Sequence, residues 1–190
     1  VVRILSSLIL QPSSQLDLGR SSLLISGVSL ANVTAKLAQG YHGGAWDGFG
    51  IVSSAAASDP LQSTALGVLL NDAGDGTPVY ATFAGLPAGA GDVLVRYTSY
   101  GDADLNGVVD GDDLVSFLVG YRNRLAGWAN GDFDYNGRID GDDLTRLLLG
   151  YSQQGPPQSA GGVQAVPEPG TLALLVLGAA CLWFTGQPAA

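Results

Sequence analysis

A repeat constrains this chain more than any other feature. Residues 101–121 (GDADLNGVVDGDDLVSFLVGY) and 131–151 (GDFDYNGRIDGDDLTRLLLGY) agree at thirteen of twenty-one positions with an offset of thirty. Two such units make a pair rather than a stacked array, which takes about three or more. Asp102 to Asp143 hold ten of the seventeen acidic residues in a chain of net charge −9. So concentrated a block disfavours nucleic acid, whose phosphates call for Lys and Arg, and favours hard cations.

The spacing within each unit says which cation. Calcium takes six to eight oxygens, supplied at alternate positions of a 12-residue loop with Gly sixth for the sharp turn. Counted from Asp102, the first loop offers Asp102, Asp104 and Asn106, then Gly107, the backbone carbonyl of Val108, Asp110 and finally Asp113. Counted from Asp132, the second offers Asp132, Asp134, Asn136, Gly137, the Arg138 carbonyl, Asp140 and Asp143. Both loops end in Asp where the general pattern has Glu. Two calcium ions are therefore expected. Val109 and Ile139, β-branched at position eight, are expected to pair the loops through a short backbone ladder. After each loop the pattern predicts one helix, with apolar stripes Leu114, Phe117, Leu118, Tyr121 and Leu144, Leu147, Leu148, Tyr151 at i, i+3, i+4, i+7. No helix is expected before either loop.

Loop plus exiting helix, twice, about thirty residues apart, resembles the dockerin family of paired half EF-hands. The resemblance implies an all-α calcium-binding module and a cohesin-like protein partner. The junction LVRYTSYGDADLNG (Leu94 to Gly107) also resembles the segment that precedes dockerin-like modules in large surface proteins of envelope-rich bacteria such as planctomycetes.

Upstream, short apolar runs broken by Gly, Ser and Asp read as strands: Leu16 and Leu18, Leu23 to Val28, and Val93, Val95, Tyr97 alternating with Leu94 and Arg96. Leu30, Val33, Leu37 and Tyr41 predict one helix, with Gly40 placed for its C-terminal cap. Downstream, a Gln/Gly/Pro/Ser linker leads to Pro167-Glu168-Pro169 and the apolar run TLALLVLGAACLWF. That tail resembles the PEP-CTERM sorting signal, which implies an exosortase-type enzyme, export, the cell envelope or surface, and membrane association through the C-terminal helix. Its fourteen apolar residues would span only ~21 Å as a helix, short of a ~30 Å hydrocarbon core. The basic cluster that closes such tails is missing, since no Lys or Arg follows Arg146.

The chain has no Met, which predicts the C-terminal part of a longer or processed polypeptide. Cys181 is its single Cys, so no disulfide framework is expected. His42, the single His, sits among Gly and Tyr with no triad partner nearby, and Glu168 belongs to the tail. Six Asp residues lie before Tyr97, most of them in turn-like contexts, and their spacing selects no glycosidase pair. The expected fold is multi-part: a small β-rich region (1–97) ending a larger passenger, an all-α half-EF-hand pair (98–152), a flexible linker (153–165) and a sorting tail with a short membrane helix (166–190). The expected function is non-catalytic, calcium-dependent binding or anchoring. The alternatives are a calcium-stabilised spacer, or the accessory end of a polysaccharide-degrading enzyme whose catalytic part lies elsewhere.

Overall fold

Aliphatic and β-branched runs bounded by Gly and Asp build the sheet on which the rest is assembled. A computed structural model describes residues 2–5 and 8–154. In chain order its strands are β1 (Val2–Leu5), β2 (Gln15–Asp17), β3 (Ser22–Ser26), β4 (Gly50–Val52), β5 (Thr64–Leu70), β6 (Thr82–Phe83), β7 (Leu86–Pro87) and β8 (Val93–Ser99). Its helices are α1 (Leu30–Tyr41), α2 (Ser54–Ala57), α3 (Gly111–Asn123) and α4 (Gly141–Gln153). The main sheet runs β1-β3-β8-β5, with β1 parallel to β3 and the remaining pairs antiparallel. A parallel pair β2–β4 and a small hairpin β6–β7 flank it.

β8 is central: Val95 lies opposite Leu23 on one side and Val68 on the other. Leu94 is as buried as Val93 and Val95, so the half-buried alternation expected there is not what forms. Both faces of this strand are covered, and a doubly covered strand reads as a nearly continuous apolar run. α1 forms where the periodicity places it, with the Ser29 hydroxyl accepting from the Asn32 N–H at 3.3 Å as the N-cap. Its left-handed cap is His42, not Gly40. Gly40 stands inside the last turn because a Cβ there would lie 1.9 Å from the Ile51 carbonyl oxygen of β4.

The expectation of an all-α pair beside a β-rich region is overturned: the described residues are mixed α/β. The acidic repeats pack on the sheet and share its core. Trp128 and Leu105 fill the place of a side chain at Gly67 of β5, where a Cβ would meet them at 2.7 and 2.5 Å. Tyr135 donates its hydroxyl to the Leu66 carbonyl, and its ring lies 5.8 Å edge-on from Tyr41 of α1. Arg96 of β8 donates to the Leu105 carbonyl at 2.7 Å, and the Tyr80 hydroxyl donates to the Asp104 carbonyl at 2.8 Å. The Arg146 guanidinium of α4 sits 5.5 Å from the Tyr41 ring centre and 5.0 Å from that of Tyr100. The physical reason is burial: two helices of thirteen residues each are too short to build a core alone, and the sheet supplies the surface they lack.

The helices also turn a different face inward. Each buries Asp113, Phe117, Gly120 or Asp143, Leu147, Gly150, because the carboxylate that closes each loop must point into it. Leu118, Tyr121, Leu148 and Tyr151 of the expected stripes are left more than half exposed. The two buried glycines brace the repeats reciprocally. A Cβ on Gly120 of α3 would lie 2.0 Å from the Asn130 carbonyl oxygen, at the entry to the second loop. One on Gly150 of α4 would lie 1.8 Å from the Tyr100 carbonyl oxygen, at the entry to the first. Gly150→Ala should therefore cost about 1–3 kcal/mol of overpacking and lower the thermal midpoint by several degrees. An unchanged melting curve would mean that the contact is not close.

Candidate metal centre

Each loop begins at a buried Asp and closes on another that lies inside the first turn of the following helix. Asp110 and Asp140 are the N-caps of α3 and α4, and each forms a capping box with Asp113 or Asp143 three residues on. Asp113 Oδ1 accepts from the Ala103 N–H at 2.7 Å and Oδ2 from the Asp110 N–H at 2.8 Å. Asp143 does the same with Phe133 at 2.7 Å and Asp140 at 2.9 Å. The D-x-x-D signal thus starts a helix and folds its second carboxylate back across the loop.

Asp102, Asp104 and Asp113 form one cluster and Asp132, Asp134 and Asp143 the other, each offering carboxylate oxygens within 4.8 Å of one another. Asp104 accepts from both the backbone N–H and the side-chain amide of Asn106, at 2.9 and 3.0 Å. Asp134 and Asn136 repeat this at 3.0 and 2.9 Å. The Asn106 and Asn136 oxygens accept from the Val108 and Arg138 N–H groups at 2.7 and 2.8 Å, which tightens the turn in front of the two candidate carbonyls. Asp110 and Asp140 stand apart from the triads, each accepting from the N–H two residues on at 2.9 Å.

Asp102 and Asp132 carry the most telling feature. Asp102 Oδ2 accepts from the Thr98 hydroxyl and from the Gly107 N–H at 3.1 Å. Asp132 Oδ2 accepts from Gly127 and Gly137 at 3.1 and 3.2 Å. In both residues Oδ1 is buried with no hydrogen-bond partner. An unmatched buried carboxylate oxygen beside two further carboxylates is costly, and at an effective dielectric near 20 each close pair repels by roughly 3 kcal/mol. The consequence is visible in proton affinity. Burial, with the neighbouring Asp113 and Asp104 charges, pushes Asp102 up to about 7 against the pull of the Thr98 hydrogen bond. Burial pushes Asp143 up to about 6 and also raises Asp113 and Asp132. A hard divalent cation matches this donor set in charge, ligand type and spacing. The chain's residues fit such an ion through Asp102, Asp104 and Asp113 in one loop and Asp132, Asp134 and Asp143 in the other.

The expected ladder between Val109 and Ile139 does not form among the described residues. The Val109 N–H donates instead to Gln154 Oε1 at 2.6 Å, and the Gln154 side-chain amide donates back to the Val109 carbonyl. Loop position four was also not anticipated. Leu105 and Tyr135 take left-handed backbone at φ 62° and 61° and turn inward to the sheet, as do Ala103 and Phe133 at position two. Elsewhere, His42 Nδ1 lies 2.7 Å from Asp47 Oδ1 on the surface.

Among the described residues no helix is long and apolar enough to cross a membrane, and the expected membrane helix lies outside them. Residues 165–185 match the PEP-CTERM protein-sorting motif. That motif marks an exported protein, sorted to the cell envelope or surface through recognition by an exosortase-type enzyme. No curated protein and no solved structure matches the chain.

Proposed function

We propose that the repeats form a calcium-dependent, non-catalytic binding or anchoring module of this exported protein, with one calcium ion in each loop. The observation that carries the reading is the pair of buried, unpartnered Oδ1 atoms on Asp102 and Asp132, each facing a carboxylate cluster. Asp104 and Asp134 complete each triad, Asn106 and Asn136 shape the turns, and Asp110 and Asp140 hold the exiting helices. When bound, the ion supplies positive charge that offsets the repulsion within each loop and joins the loop to its helix. Binding is favoured over a plain spacer by the apolar surface that α3 leaves to solvent, where Val115, Leu118 and Val119 are about half exposed. The loop pattern resembles dockerins, which makes a cohesin-like protein the partner class to test first.

Titration calorimetry on the whole chain should give two calcium equivalents. Asp102→Asn should remove one of them, and Asp132→Asn the other. No heat with millimolar calcium, or an unaltered stoichiometry in both variants, would refute the reading.

A further inference from the structure

The two halves of the repeat differ at one place where their equivalence is otherwise close. In the second half, Gln154 follows α4 and its planar carboxamide closes on both backbone groups of Val109 in the first loop. The residue thirty positions earlier is Arg124, which follows α3, and the equivalent of Val109 is Ile139. Among the described residues, the Ile139 N–H and carbonyl make no hydrogen bond. A cavity of about 540 Å³ opens there, lined by Tyr121, Arg122, Arg124, Leu125, Arg138 and Ile139. Tyr121 is more than half exposed and Leu125 is 40% exposed.

Three of the eight basic residues of a chain with net charge −9 thus surround one cavity. Among the described residues none of the three is in an ion pair, the one such pair being His42–Asp47. The other described basic side chains near the repeats are committed: Arg96 to the Leu105 carbonyl, Arg146 over Tyr41 and Tyr100. Arg124 moreover occupies the left-handed cap of α3 at φ 55°, where a glycine would be free of strain. Three arginines that line one cavity without an ion-pair partner leave positive charge there to be matched, and a planar guanidinium fork suits a carboxylate in two-point contact.

We infer that this cavity is a carboxylate-recognition site that takes a glutamate side chain from an acidic peptide segment of a partner protein. The equivalent place in the second half shows the shape that fits: a planar, two-methylene side chain end reaching position eight of the facing loop. With arginines around it, the charged counterpart of glutamine is the matching group. Its carboxylate accepts from the arginines and the Ile139 N–H, while its methylenes lie on Tyr121 and Leu125. This deepens the binding reading above by naming a partner chemistry, but it does not need calcium to be the ion in the loops.

The test uses the whole chain and a fluorescent peptide, Ac-Ala-Glu-Leu-Glu-Ala-amide, followed by anisotropy in calcium and in chelator. Saturable binding is expected, weakened about tenfold or more by the double variant Arg124→Gln with Arg138→Gln, whose removed contacts are charge-assisted. The peptide with both glutamates changed to glutamine should not bind. Circular dichroism of the double variant should match the parent, since both side chains are exposed. Peptide binding without any calcium heat would support the cavity and refute only the calcium reading. Absent binding in both buffers, equal binding of the glutamine peptide, an unaffected double variant, or tighter binding of a hyaluronan oligosaccharide than of the peptide would each overturn the assignment.

Discussion

Trp128→Ala should melt the sheet and both acidic loops together, on the order of 10 °C below the parent chain. Trp128 is 1% exposed and joins three parts of the fold. Its indole N–H donates to the Asp102 carbonyl at 2.7 Å, at the entry to the first loop. Its ring stands 5.0 Å from Phe133 and 5.7 Å from Tyr135, both in the second loop. It also occupies the gap left by Gly67 in β5. Truncating a buried Trp costs ~3–5 kcal/mol, a large part of the ~5–15 kcal/mol that holds a typical domain together. Thermal unfolding followed by circular dichroism, with hydrogen exchange on β8 and on α4, separates the possibilities. One shared, lowered transition is the expected result. A loop-and-helix transition that falls while the sheet keeps its midpoint would show that the two are independent.

Metal-free protein should lose stability as pH rises, and calcium should reverse that trend. Asp102 is held up at about 7 and Asp143 at about 6, whereas carboxylates of an unfolded chain titrate near 4. The folded state thus binds more protons than the unfolded one between about pH 4 and 7. Stability from these groups is fully present below about pH 4 and is lost as pH rises through the folded values. For Asp102 alone the loss is on the order of 4 kcal/mol. Calcium bound as proposed would require the deprotonated loops, so the calcium-loaded protein should instead gain stability over the same interval. Unfolding midpoints at pH 5, 6, 7 and 8 test this, with metal-free and with calcium-loaded protein. Parallel profiles in the two conditions would refute it.

The clustering of the loop carboxylates was legible because it is set by contiguous residues. Asp102 to Asp113 and Asp132 to Asp143 contain their own turn, triad and cap, and the structure brings Asp102, Asp104, Asp113 and their counterparts together. α1 was legible for the same reason, its apolar face at Leu30, Val33, Leu37 and Tyr41 lying within one local window, although its caps, Ser29 and His42, were not. What the repeats rest on was not legible, since it depends on distant residues. Nothing near Gly67 announces that Trp128 will fill its place. The signals that could have found it are a Trp in the short connection between α3 and the second loop (Arg124 to Asn130) and apolar Leu105 and Tyr135 inside acidic loops. The helix faces were misassigned because periodicity counts apolar residues. It does not register that Asp113 and Asp143 must be buried, which fixes Phe117 and Leu147 inward and leaves Leu118 and Leu148 outside.

The Gln154 clasp on Val109 also has a mechanical meaning. The sorting motif follows Gln154 in the chain, so any pull applied from the C-terminal side enters the folded part at that residue. Without the clasp, tension would peel α4 from its C-terminus one turn at a time, the easiest way to pull a helix apart. With it, the first load falls on two hydrogen bonds made side by side to Val109. Behind Val109 stand the first loop and, through the Asp102 carbonyl, Trp128. The first repeat therefore shares from the outset any strain applied at Gln154, and the second cannot be unravelled from that end alone.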